Sequence, residues 1–410
     1  MTWTQNCRVA LGLIAIAGTI GLSGCGQGSY TREGSSLAKE KMNMMKSATE
    51  WEMARQAFFA GDLDKALRKV DVSLGMNPNV AKSHVLKGRI LLEQGEVGLA
   101  VRSFNTALAI QPDFVDAHYY IGIAAERLNR HQDAFDHYAR AAALDEYNDQ
   151  YPMAAAEMLI DMGRLDEART YLEGCATLED SPGIRQTLGH IARLRGDMPA
   201  AVNYFQSAQL LAPDDQGILE DLTRAQFAVG RFADAEYSLS TLLQKADYAQ
   251  RRDLQRLRAE CLIQLNRTGE ARQLYLELTG TGEGVKDLDS WIGLGEVSHK
   301  VGDFATLRKA ATRVVSLAPE RQEGYVLWSL WHRQQGNQEA TLRSIDDAIS
   351  RNTDNPLLFT MRAMTLIELN RGSEARQALT TALKLDPKHA PSLAVLSNLD
   401  NRVAGVSTEQ

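Results

Sequence analysis

The segment GRILLEQGEVGLAVRSFNTALAIQP, residues 88–112, places small residues at Gly88, Gly95, Ala100 and Ala107 and ends at Pro112. Much the same phrase recurs about nine more times along the 410 residues of the chain. Self-similarity at a fixed period of this length is typical of proteins that stack copies of one small unit. The segment therefore predicts a repeat protein.

One position of the repeat marks a turn between two helices. If Gly88 is position 8 of a 34-residue unit, Gly95 is position 15 and Pro112 is position 32. Position 15 is glycine or asparagine in all ten copies, and these residues tolerate the left-handed conformation that ends a helix. Each unit is therefore predicted to contain a helix A, a tight turn and a helix B. The residues at position 15 are Gly61, Gly95, Asn129, Gly163, Gly196, Gly230, Asn266, Gly302, Gly336 and Asn370.

Three further positions predict how the two helices pack. Position 8 is small in every copy, and position 20 is alanine in eight of ten, with Leu307 and Thr341 as the exceptions. We expect helices A and B to approach closely at these positions, while larger residues at position 24, such as Phe104, fill the space beside them. Proline at position 32 stops helix B in five copies.

This pattern resembles the tetratricopeptide repeat, whose W-x2-L-G start is present as Trp291, Leu294 and Gly295. The resemblance covers roughly residues 47–388. It implies an all-α fold, a right-handed superhelical solenoid of about ten helix-turn-helix repeats, with an extended concave face that binds other proteins.

The spacing of the repeats departs from 34 residues at two places. It is 33 between Gly163 and Gly196, and 36 on either side of Asn266. The longer connections predict a joint, with repeats 1–6 in residues 47–247 and repeats 7–10 in residues 248–388. The segment GTGEG in the second long connection has no preceding strand, so a loop is predicted there.

The repeats are expected to be capped at the carboxyl end. Residues 389–410 are interpreted as a closing helix, Pro391 to Arg402, followed by a polar tail. Leu393 and Leu396 are predicted to face inward.

The first 25 residues indicate export. Arg8 precedes an apolar run that ends at Leu22, which is typical of a secretory signal peptide. Leu22-Ser23-Gly24-Cys25 resembles the lipobox of bacterial lipoproteins, which implies cleavage after residue 24 and a diacylglycerol on Cys25. An uncleaved anchor is the alternative. Residues 25–46 would then hold the lipidated cysteine, a Gly/Ser-rich tether and a lead-in helix from Ser36.

The resemblance to lipoproteins also implies a location. An aspartate directly after the lipidated cysteine would signal retention in the inner membrane. Gly26 stands at that position, which implies sorting to the outer membrane with the protein facing the periplasm. In an organism with one membrane, the protein would lie on the outer face of the cell membrane.

Composition and motifs indicate a protein without catalytic chemistry. The net charge is −7, and without a block of Lys or Arg the chain has no electrostatic footprint for nucleic acid. HExxH, P-loop, CxxC and G-x-S-x-G motifs are absent from the sequence. No cofactor, small-molecule substrate or enzymatic activity is predicted.

Cysteines and histidines also favour structural roles. Cys175 and Cys261 lie about three repeats apart, too far for a disulfide, and are predicted to be small buried residues. His84 and His118 share position 4 of adjacent repeats. Because equivalent helices are at least ~10 Å apart, the pair is too widely spaced to share a metal ion.

The predicted binding surface lies on helix A. In the resembled family, positions 2, 5, 9, 12 and 13 line the concave face. The first six repeats place arginines there, which are suited to pairing with carboxylates, so an acidic segment of a partner is predicted to bind. The alternative is that nearby carboxylates of the chain neutralise them. The arginines are Arg55, Arg89, Arg127, Arg193 and Arg224, the nearby carboxylates are Glu93, Glu126, Glu157 and Asp161, and Glu260 and Glu296 hold position 9 later.

Together these features predict a membrane-tethered scaffold that binds partner proteins, as a peptide or helix, in the bacterial cell envelope. It would serve the assembly of a pilus or a secretion machine. The alternative is an accessory factor for the synthesis of envelope polysaccharide or peptidoglycan.

We predict that Cys25→Ala leaves an unprocessed precursor without diacylglycerol, because the thiol of Cys25 is the expected acceptor. Cys7→Ala is the control and should leave lipidation unchanged, since Cys7 lies upstream of the cleavage site. Intact-mass spectrometry measures both. A wild-type protein without added lipid would contradict the prediction.

Overall fold

The computed structural model describes residues 29–280 and 282–407 and is helical throughout. These residues form twenty-one α-helices and one short 3-10 helix, with no strand among them. The all-α prediction is confirmed. The chain divides into two compact units, the first ending at Asp145 and the second beginning at Glu146.

The first unit contains three helix pairs. Within each pair, helix A and helix B pack against each other along the chain order expected for the repeat. Its helices are α1 (Ser29–Phe59), α2 (Leu63–Met76), α3 (Ala81–Glu93), α4 (Val97–Ile110), α5 (Val115–Arg127) and α6 (His131–Leu144).

The second unit contains seven pairs and a closing helix. The boundary predicted at 247/248 lies inside this unit, between α12 and α13. Its helices are α7 (Gln150–Asp161), α8 (Leu165–Glu173), α9 (Pro182–Leu194), α10 (Met198–Leu211), α11 (Gln216–Ala228), α12 (Phe232–Leu242), α13 (Arg252–Gln264), α14 (Thr268–Gly280), α15 (Leu288–Val301), α16 (Phe304–Leu317), α17 (Glu323–Gln334), α18 (Gln338–Arg351), α19 (Pro356–Glu368), α20 (Gly372–Leu385) and α21 (Ala390–Ser407), with the 3-10 helix Gly282–Lys286 between α14 and α15.

The turns between helices A and B are left-handed, as predicted. All ten residues at position 15 have positive φ, from 56° at Asn129 to 82° at Gly95. The left-handed region costs most residues energy because Cβ approaches the backbone, and glycine and asparagine pay least. The choice of these two residues therefore fixes where every A helix ends.

In nine of the ten copies, the residue after the turn starts helix B in one of two ways; Glu96, the exception, makes no side-chain capping bond. Where it is aspartate or asparagine, as at Asp62 and Asn337, its side chain accepts a hydrogen bond from the backbone N–H three residues on. Where it is arginine, the guanidinium binds an acidic residue three positions later, which also places negative charge at the helix start. These pairs, each with an N–O distance of 2.6 or 2.7 Å, are Arg130–Asp133, Arg164–Glu167, Arg231–Asp234, Arg267–Glu270 and Arg371–Glu374.

The core follows the small-and-large pattern of the repeat. Every residue at positions 8 and 20 is buried, and so is each of the larger residues at position 24. A Cβ added to Gly122 would lie 2.5 Å from the ring of Tyr138, and one added to Gly189 would lie 2.5 Å from the ring of Phe205. The rings thus lie directly on the backbone of helix A.

Both ends differ from the sequence prediction. Helix α1 already includes Ser29–Ser35, so the predicted tether is wrong from Ser29 onward; good helix formers such as Glu33 and Leu37 flank the single Gly34. At the other end, Leu393 is 46% exposed, so its predicted inward position is wrong.

The helical period explains the register of α21. Leu396 and Leu399 lie three residues apart on one face and pack on α19 and α20, with Leu399 only 7% exposed. Leu393 belongs to a neighbouring face that solvent reaches.

Within residues 29–280 and 282–407, no helix combines the length and the apolar character needed to cross a bilayer. Cys25 and the signal segment lie outside the described residues.

We predict that Gly122→Ala destabilises the protein by about 1–3 kcal/mol, because the added methyl group would overlap the Tyr138 ring. Gly75→Ala is the matched control: Gly75 is exposed inside α2 with no atom within 4 Å of the new Cβ. Alanine is favoured over glycine in a helix by about 0.5–1 kcal/mol. The urea denaturation midpoint should therefore fall for Gly122→Ala and rise for Gly75→Ala. Midpoints that shift in the same direction would contradict the packing of Tyr138 on Gly122.

Candidate partner-binding groove

A groove of about 700 Å³ lies in the second unit, along consecutive A helices. It is formed by α11, α13, α15 and the start of α17. Most of its lining residues occupy the helix A positions that sequence analysis assigned to the concave face, which supports that assignment. Those residues are Arg224, Phe227, Asp253, Arg256, Glu260, Ile263, Gln264, Asp289, Ile292, Glu296, Lys300 and Glu323.

Part of the groove wall is apolar. Phe227, Leu257, Ile263 and Ile292 contribute to it, together with the ring of Tyr275 from helix α14. These side chains offer a surface for apolar groups between the charged residues.

Two carboxylates stand out in this groove because they are unpaired. Glu260 and Glu296 occupy position 9 of α13 and α15, and neither forms an ion pair within the described residues. Partial burial raises the pKa of Glu260; Arg256 lowers it and Glu296 raises it further. Burial likewise raises the pKa of Glu296, against the effect of Lys300. The groove therefore holds negative charge that its own cations do not fully compensate.

The arginines of the groove are already held by other carboxylates. Arg224 donates to Asp253 at 2.8 Å and to Glu220 at 2.8 Å. Arg256 lies 3.2 Å from Asp287. Arg321 pairs with Glu323 at 2.7 Å.

In the first unit, two of the three predicted arginines pair with carboxylates. Arg55 binds Glu52 at 2.8 Å on its own helix. Arg127 donates to the carbonyl of Leu92 at 2.6 Å and to Glu93 at 3.1 Å. Arg55 and Arg127 therefore pair within the chain, which was the alternative to binding a partner.

Arg89 differs from these two. Its guanidinium lies 4.9 Å from the centre of the Phe58 ring and 4.8 Å from that of Tyr120, and no carboxylate pairs with it among the described residues. Cation–π contact with two rings positions this arginine. Binding of an acidic partner at Arg89 stays a prediction.

In the second unit, Arg224 lines the groove but is paired, and Arg193 is exposed without an ion pair in the described part of the chain. The structure therefore brings one of the five predicted arginines, Arg224, into the groove.

Glu260 and Glu296 were visible in the sequence at position 9. Their importance was missed because nothing in the sequence shows which groove charges lack partners.

Comparison with known families agrees with this architecture. A family model described as tetratricopeptide repeat matches residues 52–113, 86–149 and 221–284, and a second one with the same description matches residues 358–389. These segments are tetratricopeptide repeats.

Curated proteins are similar to part of this chain. The BBSome complex member BBS4 of Bos taurus is 24% identical over 200 residues, which cover 47% of this chain and 38% of that protein. Tetratricopeptide repeat protein 34 of Homo sapiens is 26% identical over 269 residues, which cover 60% of this chain and 43% of that protein. The chain thus spans about two fifths of the length of the curated relatives it matches.

Solved structures of bacterial repeat proteins are also similar. A tetratricopeptide repeat protein from Parabacteroides merdae has a TM-score of 0.49 and 16% identity, covering 62% of this chain and 98% of that one. Pseudomonas aeruginosa pilF has a TM-score of 0.42 and 14% identity, covering 49% of this chain and 92% of that one.

Position 4 of the tetratricopeptide repeats has a structural role. Nε2 of His84 lies 2.8 Å from the carbonyl oxygen of Pro78, and Nε2 of His118 lies 3.0 Å from that of Pro112. Four other copies supply a different donor to the carbonyl six residues back, so in these six copies position 4 ties helix A to the preceding linker. Those four contacts are Arg185–Glu179, Gln255–Ala249, Trp291–Val285 and Tyr325–Pro319.

The described residues contain no group of three or more His, Cys, Asp or Glu side chains placed to hold a metal ion. Cys175 and Cys261 are both free thiols. Burial raises the pKa of Cys175, and it raises the pKa of Cys261 to about 12. Cys261 is fully buried as predicted, whereas Cys175 is only partly so.

We predict that Glu260→Gln makes the protein more stable at pH 7. The folded protein raises the pKa of this carboxyl above its unfolded value, so its ionisation opposes folding once the pH exceeds that unfolded value. Below pH ~4 the carboxyl is protonated in both states, and the two proteins should converge. Thermal melts of parent and variant across this pH range measure the difference, and an equal gain at low pH would contradict it.

Proposed function

We propose that this chain is a membrane-tethered scaffold of the bacterial cell envelope that holds a partner protein by a basic segment. Tetratricopeptide repeats are a non-catalytic fold for protein–protein interaction, and the segment would lie in the groove along α11, α13 and α15. The lipobox-like sequence that ends at Cys25 supports the tether. Assembly of a pilus or a secretion machine is the process that such a scaffold would serve.

The observation that carries this proposal is that two carboxylates of one groove, Glu260 on α13 and Glu296 on α15, lack ion-pair partners among the described residues. Neighbouring A helices present position 9 in the same register, so a bound segment meets the two carboxylates in succession. A Lys or Arg side chain would replace lost hydration of the carboxylates with an ion pair.

Apolar contact complements this charge. Ile263 and Ile292 lie in the same groove, on the same two helices as the carboxylates. A segment that combines basic and aliphatic side chains matches both features, whereas an acidic segment would face like charge, which costs binding energy.

The test uses two short acetylated peptides, one that alternates lysine with leucine and one with glutamate in place of lysine. Fluorescence anisotropy with the full chain in lipid nanodiscs should show binding of the lysine peptide only. Added salt should weaken it, because exposed charges are screened. Equal binding of both peptides would overturn the proposed chemistry.

Variants locate the binding site. Glu260→Lys with Glu296→Lys should lower affinity for the lysine peptide by about tenfold or more, since two attractive contacts become repulsive. Glu277→Lys with Glu339→Lys is the control, with the same change of net charge at exposed B-helix positions. If both double variants lose affinity equally, net charge rather than the groove explains the binding.

A further inference from the structure

A second cavity, of about 640 Å³, is lined mainly by residues of B helices in the second unit. It is bounded by α14, the 3-10 helix, α15 and α16, and it shares no lining residue with the partner-binding groove. Its apolar wall includes Leu276, Val285, Trp291 and Leu294. Nothing in the proposed scaffold function uses this cavity.

One wall of the cavity is built by the extra residues of the long connection after Asn266. Within the segment predicted as a loop, Gly280 ends α14 and residues 282–284 belong to the 3-10 helix. The carbonyl oxygen of Val285 accepts two hydrogen bonds, from Nε1 of Trp291 at 3.1 Å and from Nε of Arg313 at 2.9 Å. These bonds hold the wall against α15 and α16.

A second set of contacts secures the ends of this connection. Nη2 of Arg252 donates to the carbonyl of Leu278 at 2.8 Å and to Asp287 at 2.6 Å. Gly284 is buried so close to Leu278 that a Cβ would overlap the Leu278 carbonyl oxygen. The connection is therefore part of the packed structure and keeps the cavity formed.

The charge in this cavity is purely positive. Lys309 and Arg313 lie four residues apart on α16, and no carboxylate lines the cavity among the described residues. Like charges at this spacing oppose each other on a helix. Nζ of Lys309 lies 5.6 Å from the centre of the Trp291 ring.

Both cations retain free donors. After Nε of Arg313 has bonded to Val285, its two Nη groups have no partner in the described part of the chain, and Lys309 forms no ion pair there. The nearby hydroxyls of Thr279 and Thr312 already donate to carbonyls of their own helices, at 2.8 and 2.9 Å. Lys309 and Arg313 are thus the charged groups available to bind a ligand.

We propose that this cavity binds a small amphiphilic anion, with a phosphate or carboxylate head group on a short apolar chain. The head group lies between Lys309 and Arg313 and relieves their repulsion, while the chain contacts Trp291 and Leu276. The volume is in the range of small-molecule sites, which are mostly apolar with a few converging polar groups.

Isothermal titration calorimetry of the full chain in lipid nanodiscs tests this, with empty nanodiscs as the blank. The probes are n-hexyl phosphate, inorganic phosphate and hexan-1-ol, which separate the whole ligand from its two halves. We expect one molecule of n-hexyl phosphate to bind per chain, and the other two to bind far more weakly. Inorganic phosphate binding as tightly as n-hexyl phosphate would overturn the proposal.

Lys309→Gln with Arg313→Gln should weaken n-hexyl phosphate binding by about tenfold or more, because two charge-assisted contacts are lost. The control, Lys65→Gln with Arg68→Gln, removes two exposed cations from α2 and should leave binding unchanged. Circular dichroism verifies the fold of each variant. Unchanged affinity in the Lys309 and Arg313 variant would refute the site.

A steric variant gives a second, independent test. Ser316→Trp places a large ring at an exposed position lining the cavity and should block n-hexyl phosphate without changing charge. Binding equal to that of the parent would contradict the proposal. Glu260→Lys with Glu296→Lys should leave n-hexyl phosphate binding intact, so failure of this site and failure of the groove are distinguishable.

Discussion

The close approach of helix A and helix B within each repeat is the contact on which the rest of the structure depends. It requires a small residue at position 8, and where position 24 holds a ring over a glycine, as Tyr138 does over Gly122, that ring lies directly on the backbone of helix A. The left-handed residue at position 15 makes the approach possible by reversing the chain in the fewest residues. Every A helix is consequently held in the same register, and position 9 always emerges on the same side of its pair.

This shared register is what makes the groove of the second unit a site. Glu260 and Glu296 are not neighbours in sequence, but they occupy the same position of consecutive repeats. Burial in the same groove raises the pKa of each carboxyl, and Glu296 also raises the pKa of Glu260. The negative fields of two carboxylates on one partly dehydrated wall add together, and water screens them less there than at an exposed surface.

The departures from the repeat create the other candidate site. Extra residues after α14 could have formed an exposed loop, since the connection is rich in glycine. They are packed instead because Trp291 and Arg313 converge on the carbonyl of Val285, and Arg252 holds both ends. A repeat of uniform length would have no such wall, and the cavity beside Lys309 and Arg313 would be open.

The sequence by itself determined the local geometry of this protein. Glycine or asparagine at position 15 predicted ten left-handed turns, and the residues at positions 8, 20 and 24 predicted the close packing of helices A and B, because these features depend on the steric needs of single residues and recur in phase. Only the tertiary structure decided which charges are free. Arg55, Arg127 and Arg224 looked available in the sequence, yet Glu52, Glu93 and Asp253 bind them, and two of those carboxylates come from neighbouring repeats. Leu393 and the register of α21 likewise depended on packing against α19 and α20, since an apolar residue on a single closing helix can face either way until its neighbours are in place.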